Sequence, residues 1–437
     1  MKKHLISYIT NMILSDKRLN KKRARIENKR IKQGLPHTLE VFLAIDDPAS
    51  YLLLQVLPEL QQRYAVRYAF KIVLEKQSSM FPELALWRAN VLSDNQKLAA
   101  LYQLTSPTQA IEDPELSKLA SCQLVAMADS DDFITHALVL FHAFWNDDST
   151  TVGSLIEPKV KDNLGALQKC LRDNQAELAH KGHYLSGIIY YGQEWYWGLE
   201  RLQYLEQRLN ELLIAGASVK QVSYNKLHQL CLPLAENWQA PNPKQAEPLT
   251  IYFSVRSPYS YLGLWRARKL AEHYQIPLKL KPVLPMLMRN LPVPKQKSMY
   301  IAHDTKREAN EYALPFGKIA DPLGAGVERC YALFDYAQSQ CKEVEFMCNF
   351  TQAVWSQRVW ADTDKGLKSI VERSGLDWQQ AKQCLTDETW RHWAQANLKE
   401  LYSLGLWGVP SFKYQNTAVF GQDKLAFIEQ QIRQSLV

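Results

Sequence analysis

The chain has 437 residues, enough for two or three domains and for a full core without disulfide staples. Its 46% hydrophobic and 22% charged residues, with 17 Gly and 20 Pro, are ordinary globular composition and exclude disorder, collagen and coiled coil. No run of 18 apolar residues occurs, which excludes a membrane-spanning helix, and the seven scattered Cys contain no CxxC, which excludes the usual redox dithiol and zinc knuckle and fits a reducing cytoplasm.

The net charge of +7 is unevenly placed. Residues 1–38 hold eleven Lys/Arg against Asp16 and Glu27, a net +9, so the remaining 399 residues carry −2. A nearly neutral body gives no case for nucleic-acid binding. Leu5 to Leu14 mimics a secretory signal but is diluted by Ser7, Thr10 and Asn11, and no small-residue cleavage site follows. The expectation is a cytoplasmic protein with a basic, solvated and partly helical arm over residues 1–38, the alternative being an arm that binds acidic lipid headgroups or RNA.

After Gly34-Leu35-Pro36 a strand pattern covers Leu39 to Ile45. Asp47-Pro48 predicts a helix start, with Asp47 as N-cap and Pro48 at the first helical position. A second strand pattern covers Val66 to Leu74, and residues 80–180 read mostly helical. Tyr184 to Tyr191 reads as a strand, Gly192-Gln193 as a turn, Trp195 to Trp197 as another strand, and Leu199 to Leu213 as a helix. Residues 214–248, ending in a Pro-rich polar stretch, predict a linker or a wrapped extended segment.

The same order then repeats. Leu249 to Val255 is a strand, Ser257-Pro258 opens a helix to about Tyr274, and Leu278 to Pro282 is a short strand. Residues 299–403 read mostly helical, Val409 to Tyr414 and Thr417 to Phe420 as strands, and Gln422 to Ser435 as a closing helix. Ala44 to Leu52 aligns with Ser254 to Leu262 without a gap, and Gly198 to Leu202 with Gly421 to Leu425. The anchors Asp47 and Gly198 are 151 residues apart, and Ser257 and Gly421 are 164 apart. Two flanking matches at comparable spacing predict an internal duplication. The fold class is therefore α/β: two tandem thioredoxin-like domains, 39–213 and 249–437, each with a helical insertion.

Ser257 before Pro258 is an N-cap, whose ordinary role is to stabilise the helix by about 1 kcal/mol. The same unpaired N–H groups and positive dipole end also favour an anion, a thiolate included. Gly408-Val409-Pro410-Ser411 puts a proline at the start of a strand, where it withholds no ladder bond. Asp423 opens the last helix, as a cap or as a partner for a ligand's ammonium group. His180-Lys-Gly-His183 has metal-like spacing but no accompanying Cys or carboxylate set.

Tyr252 to Leu262, Lys281 to Leu284, Tyr300 to Phe316, Gly405 to Phe412 and Phe420 to Leu425 together resemble the 2-hydroxychromene-2-carboxylate isomerase and kappa-class glutathione transferase family, a branch of the DsbA-like thioredoxin fold. The resemblance covers residues 249–437. It implies glutathione as cofactor, with Ser257 holding the sulfur, Val409 before a cis Pro410 contacting the peptide backbone, and Phe420, Gly421, Gln422 and Asp423 holding the glutamyl end. The run Pro285-Met-Leu-Met-Arg289 departs from the family pattern, and Arg289 is the nearest cation there. The implied activity is glutathione-dependent isomerisation or transfer on a small electrophile. The alternatives are a non-catalytic thioredoxin-fold scaffold and, with a serine in the place of the reactive thiol, a disulfide oxidoreductase. In the first half Asp47 stands where Ser257 stands and Gly187 where Pro410 stands. An ionised Asp about 4 Å from a thiolate costs about 4 kcal/mol at an effective dielectric near 20. That half is expected to be a degenerate copy, packed against the second as an intramolecular pseudo-dimer.

Overall fold

The computed structural model describes residues 2–74, 78–212, 221–234, 236, 238–242 and 246–435. Of the expected linker, residues 214–220, 235, 237 and 243–245 lie outside the described residues, as does Leu213 at the expected end of a helix. The chain divides into two compact units: Lys22–Lys226, and Met1–Lys21 together with Leu227–Val437.

The first unit contains most of α2 (Asp16–Lys32), then β1 (His37–Leu43), α3 (Pro48–Arg63) and β2 (Val66–Ile72). A helical insert follows: α4 (Leu84–Tyr102), α5 (Pro114–Met127), α6 (Phe133–Phe144), α7 (Ser149–Leu155), α8 (Pro158–Asp162) and α9 (Leu164–His180). β3 (Ile188–Tyr191), β4 (Glu194–Trp197) and α10 (Leu202–Glu211) close the unit. The sheet order is β2-β1-β3-β4, with β1 and β2 parallel and the other pairs antiparallel.

The second unit repeats this plan. β5 (Leu249–Phe253), α11 (Pro258–Tyr274) and β6 (Leu278–Pro282) precede an insert of α12 (Lys295–Glu311), α13 (Ala325–Ala332), α14 (Phe334–Ser339), α15 (Glu343–Ser356), α16 (Asp364–Arg373), α17 (Trp378–Gln383) and α18 (Trp390–Ser403). β7 (Ser411–Tyr414), β8 (Thr417–Phe420) and α19 (Leu425–Ser435) follow, and the sheet order is β6-β5-β7-β8 with the same parallel and antiparallel pairs. Both sheets follow from runs of apolar and aromatic residues on β1 and β5, which are buried because helices cover them. The chain is thus two thioredoxin-like α/β units, each with a helical insertion.

The registers prove the equivalence residue by residue. Val41 pairs with Ile189 as Ile251 pairs with Phe412, and Ile188 pairs with Trp197 as Ser411 pairs with Phe420. Gly187 therefore stands at the place of Pro410, and each carbonyl accepts from the glycine that opens the last helical segment: Gly198 N at 2.8 Å and Gly421 N at 2.9 Å. Four strands are shorter than the sequence pattern suggests: β2 ends at Ile72, β5 ends at Phe253, β3 begins at Ile188 after Gly187 at φ +62°, and β7 begins at Ser411 after the cis Val409–Pro410 bond.

The basic arm is helical and mostly exposed, and it is anchored at a few points. In α1 (Lys2–Ile13), Ser7 and the following Leu14 are buried, Ser7 donates to the Ile319 carbonyl, and Lys3 pairs with Asp362 at 2.5 Å. Asp16 pairs with Lys306 at 3.0 Å. Further along, in the first unit, Arg23 meets Glu194 with two nitrogens at 2.7 and 2.9 Å.

Each unit ends on the same device. The buried Glu206 of α10 accepts from the backbone N–H of Ser223 (2.9 Å) and Tyr224 (3.0 Å). The buried Glu429 of α19 accepts from Cys231 (3.1 Å) and Leu232 (2.8 Å), and from the Tyr274 hydroxyl at 2.7 Å. A carboxylate of the closing helix thus holds main chain outside the sheet in each unit: residues 223–224 after α10, and residues 231–232 ahead of β5. Glu429→Ala removes the acceptor for three donors, of which the Tyr274 hydroxyl is buried, and should lower the stability of the second unit by about 1–3 kcal/mol. Glu429→Gln, which keeps one acceptor, should lose less; urea unfolding of both variants measures the difference.

Candidate functional site

β5 delivers the chain to a bend at residues 254–257, and α11 starts beyond it. Ser257, with extended backbone (φ −90°, ψ 121°), caps α11: its hydroxyl oxygen accepts from Ser260 N at 3.2 Å. Pro258 follows at the first helical turn, where its missing N–H costs nothing. The Ser257 hydroxyl proton is directed at the Val409 carbonyl, a long contact of 3.4 Å. Val409–Pro410 is the cis peptide that the sequence predicts. α11 passes so close that a Cβ on Gly263 would lie 3.1 Å from the Pro410 ring. Ser257, Val409 and Pro410 therefore meet where the positive end of a 17-residue helix faces the start of a strand.

Aromatic rings wall this place. A Cβ on Gly408 would lie 2.5 Å from the Phe420 ring, so only glycine lets that ring lie flat over the loop. The Phe420 and Trp407 rings are 6.0 Å apart, and Val409 and Phe420 pack on Tyr252, Leu401 and Leu406. The buried Trp407 indole N–H has no hydrogen-bond partner among the described residues. Its nitrogen, two residues from Val409, is closed to solvent.

Lys297, in the first turn of α12, lies over the Trp407 ring with Nζ 5.7 Å from its centroid. Burial pushes its ammonium pKa down to about 8. Sequence reasoning did not single it out. The signal was present: Lys295 and Lys297 occupy the opening turn of a helix with no acidic residue there, against the charge preference of a helix N-terminus.

The other expected ligand residues take different places. Gln422 is buried and its side chain is used at both ends: the carbonyl oxygen accepts from Arg266, and the amide donates to Glu308 at 2.6 Å. Asp423 is nearly buried and folds back over Gly421, where an added Cβ would lie 2.5 Å from its carboxylate. Arg289 ends the short 3-10 turn Met286–Arg289, and its charge acts on the buried Tyr331 phenol. Arg256, next to Ser257, is engaged by both oxygens of Asp321, at 2.9 and 2.8 Å.

The matching place in the first unit is closed. Asp47 caps α3, accepting from Ala49 N at 3.2 Å, and also accepts from the Ser186 and Ser50 hydroxyls at 2.7 and 2.9 Å. A Cβ on Gly187 would lie 2.8 Å from the backbone of Ala49 and Ser50. Residues 47–50 are all buried, whereas Ser257, Pro258 and Tyr259 are half-exposed. What remains beside Asp47 is a void of about 10 Å³ lined by Phe81, Trp87, Tyr184, Ser186 and Trp197, room for at most one water. His183 of the His-x-x-His run is fully buried, its pKa pushed to about 3 by burial, and accepts from Leu185 N at 3.1 Å.

Residues 248–433 match the DSBA-like thioredoxin domain. No curated protein matches the chain. Among solved structures, a 2-hydroxychromene-2-carboxylate isomerase is 20% identical, with 43% of this chain and 95% of that one covered and a TM-score of 0.38. A probable DsbA oxidoreductase from Streptomyces coelicolor is 17% identical (43% and 89% covered, TM-score 0.36). A putative protein disulfide isomerase from Nitrosomonas europaea is 13% identical (44% and 97% covered, TM-score 0.36).

Lys297 makes a pH prediction. Its folded pKa lies near 8, below the unfolded value of about 10.4, so the unfolded chain holds more protons between those limits. The penalty is fully present below pH 8 and is relieved as pH rises through that window. Lys297→Met should remove the penalty, stabilising the protein at pH 7 by on the order of 1 kcal/mol after allowance for partial solvent access. Denaturant titrations at pH 7 and 10 should show the gap between variant and wild type shrinking at the higher pH.

Proposed function

We propose that the second unit binds glutathione and is a glutathione-dependent isomerase or transferase of small electrophiles. The observation that carries this reading is Ser257: a half-exposed hydroxyl at a helix N-terminus, one long hydrogen bond from the Val409 carbonyl, beside a cis proline. The donor set suits the tripeptide. Ser257 presents an O–H to an anionic sulfur, and the Val409 peptide presents backbone groups. Glutathione supplies a thiolate, which adds reversibly to an electron-poor carbon of an alkene or aromatic substrate.

The chain's own residues set the conditions for that step. Ser257 turns its proton from a weak contact with Val409 toward the sulfur, which favours the charged form. The α11 dipole adds positive potential at the same point. Lys297, held at the same Trp407–Val409 loop and still charged at neutral pH, adds a cation. The Trp407 and Phe420 rings exclude water and offer a flat apolar wall to a planar substrate. A thiol–disulfide mechanism would need a reactive cysteine at the helix start, where serine stands. Burial raises the Cys330 thiol pKa and pushes that of Cys348 up to about 12, so neither supplies a thiolate. The first unit serves as a scaffold, its cap position occupied by Asp47.

Ser257→Ala should raise the pKa of the bound glutathione thiol, read from thiolate absorbance, while the lost cap costs about 1 kcal/mol of stability. An unchanged thiol titration in that variant would remove Ser257 from the reading. Calorimetry on the intact protein should give one glutathione site per chain. Asp423→Ala should weaken binding by about 1.5–3 kcal/mol through loss of a charge-assisted contact, and Glu200→Ala should change it little. Two equivalent sites, or equal losses from both substitutions, would show that the first unit binds as well.

A further inference from the structure

The outer face of α1 is reversed relative to an ordinary surface helix. At 3.6 residues per turn, Leu5, Ile6, Tyr8, Ile9 and Met12 fall on one arc of about 160°. These five side chains are 40–60% exposed. The opposite side, with Ser7, Thr10, Asn11 and Leu14, is the one turned to the protein: Ser7 donates to Ile319, and Ser7 and Leu14 are buried. The helix is held in this orientation from its first turn, where Lys3 pairs with Asp362 and His4 packs on Trp360 with ring centroids 4.6 Å apart. A helix free to turn would bury its apolar arc; this one is fixed with the arc outward.

Cations stand beside the arc. Tyr8 and Met12 share one shallow groove with Lys17, Arg18 and Lys21. All three basic residues are exposed, and none is paired with a carboxylate among the described residues. Apolar side chains with Lys and Arg next to them match the boundary layer of a bilayer, where acyl chains receive the first and anionic headgroups the second. We infer that α1 docks in the plane of a membrane surface that carries anionic lipid, with Leu5, Ile9 and Met12 inserted and Lys17, Arg18 and Lys21 at the headgroups. A second copy of the chain is a poor occupant of the same face, because two-fold pairing would bring these three cations against their own copies. RNA would pair with the cations and leave the apolar arc in water.

The test is flotation of the full-length protein with vesicles of phosphatidylcholine alone, or with one third phosphatidylglycerol, at low and high salt. Binding is expected to the anionic vesicles, reduced by salt. Lys17→Gln/Arg18→Gln/Lys21→Gln should weaken it by roughly fivefold per charge and flatten the salt dependence. Leu5→Asn/Ile9→Asn should weaken it at least tenfold at every salt concentration. All five positions are exposed, and thermal unfolding checks that both variants keep the wild-type fold. Equal binding to both vesicle types, or no binding to either, overturns the inference. So does binding to polyuridylate that survives Leu5→Asn/Ile9→Asn, or a dimer that this variant abolishes in the absence of vesicle binding.

Discussion

Each unit hangs on a four-residue backbone bend between its first strand and the helix that follows. In the second unit Ser260 Oγ accepts from Ser254 N, and the Trp355 indole, brought by α15, donates to the Val255 carbonyl at 3.0 Å. Val283 N, at the end of β6, donates to Phe253 at 2.8 Å. Sheet, helix and insert thus all bond to one short stretch of main chain. The first unit has the same set: Ala44 N donates to Ser50 Oγ, the Trp145 indole to the Ile45 carbonyl at 3.0 Å, and Val73 N to the Leu43 carbonyl. In both units the pinning tryptophan lies 100 residues after its partner. A bend held from three sides leaves the cap residue little freedom, which is the condition a site needs to present a hydroxyl at a defined point.

The divergence that bears on the site lies in what covers that bend. Asp47 and Ser257 both cap a helix, so both satisfy the local demand of a helix start. The difference lies in the loop before the third strand: Gly187 presses onto the Ala49 and Ser50 backbone at the start of α3, whereas Pro410 packs on Gly263 further along α11 and leaves Ser257 half-exposed. Glu200 and Asp423, by contrast, behave alike: each folds its carboxylate over the glycine two residues before it. A carboxylate kept in the closed unit has a helix-start role of its own, which Asp423 combines with the ligand contact proposed for it. Ser257, Trp407 and Lys297 are where the chemical distinction lies.

The fold was legible because its punctuation is local. The run from Pro258 to Tyr274 is bounded by a capping serine, a proline in the first turn and a left-handed Gln275, and the first two are written in neighbouring residues. The duplication was legible because its two anchor pairs flank the insert at similar spacing. The tryptophan pins and the carboxylate clamps were not, because each joins residues distant in sequence and neither partner looks unusual alone. Ser7, Thr10 and Asn11 misled for a physical reason: they dilute the apolar pattern of the arm, yet they lie on the side that faces the protein. Lys297 was missed because its meaning depends on the ring of Trp407, 110 residues away.

The order in which the chain is synthesised gives α1 an unusual history. Its resting place is made by Ile319, Trp360 and Asp362, which leave the ribosome more than 300 residues after Ser7. At 5–20 residues per second, roughly 15–60 s separate the emergence of the helix from that of its seat. For that interval nothing holds the polar side inward, and Leu5 to Met12 meet the cell as a short basic, apolar segment on a growing chain. Whatever receives such segments during translation meets that helix before its seat exists, and the finished fold then returns it to view with the same face outward.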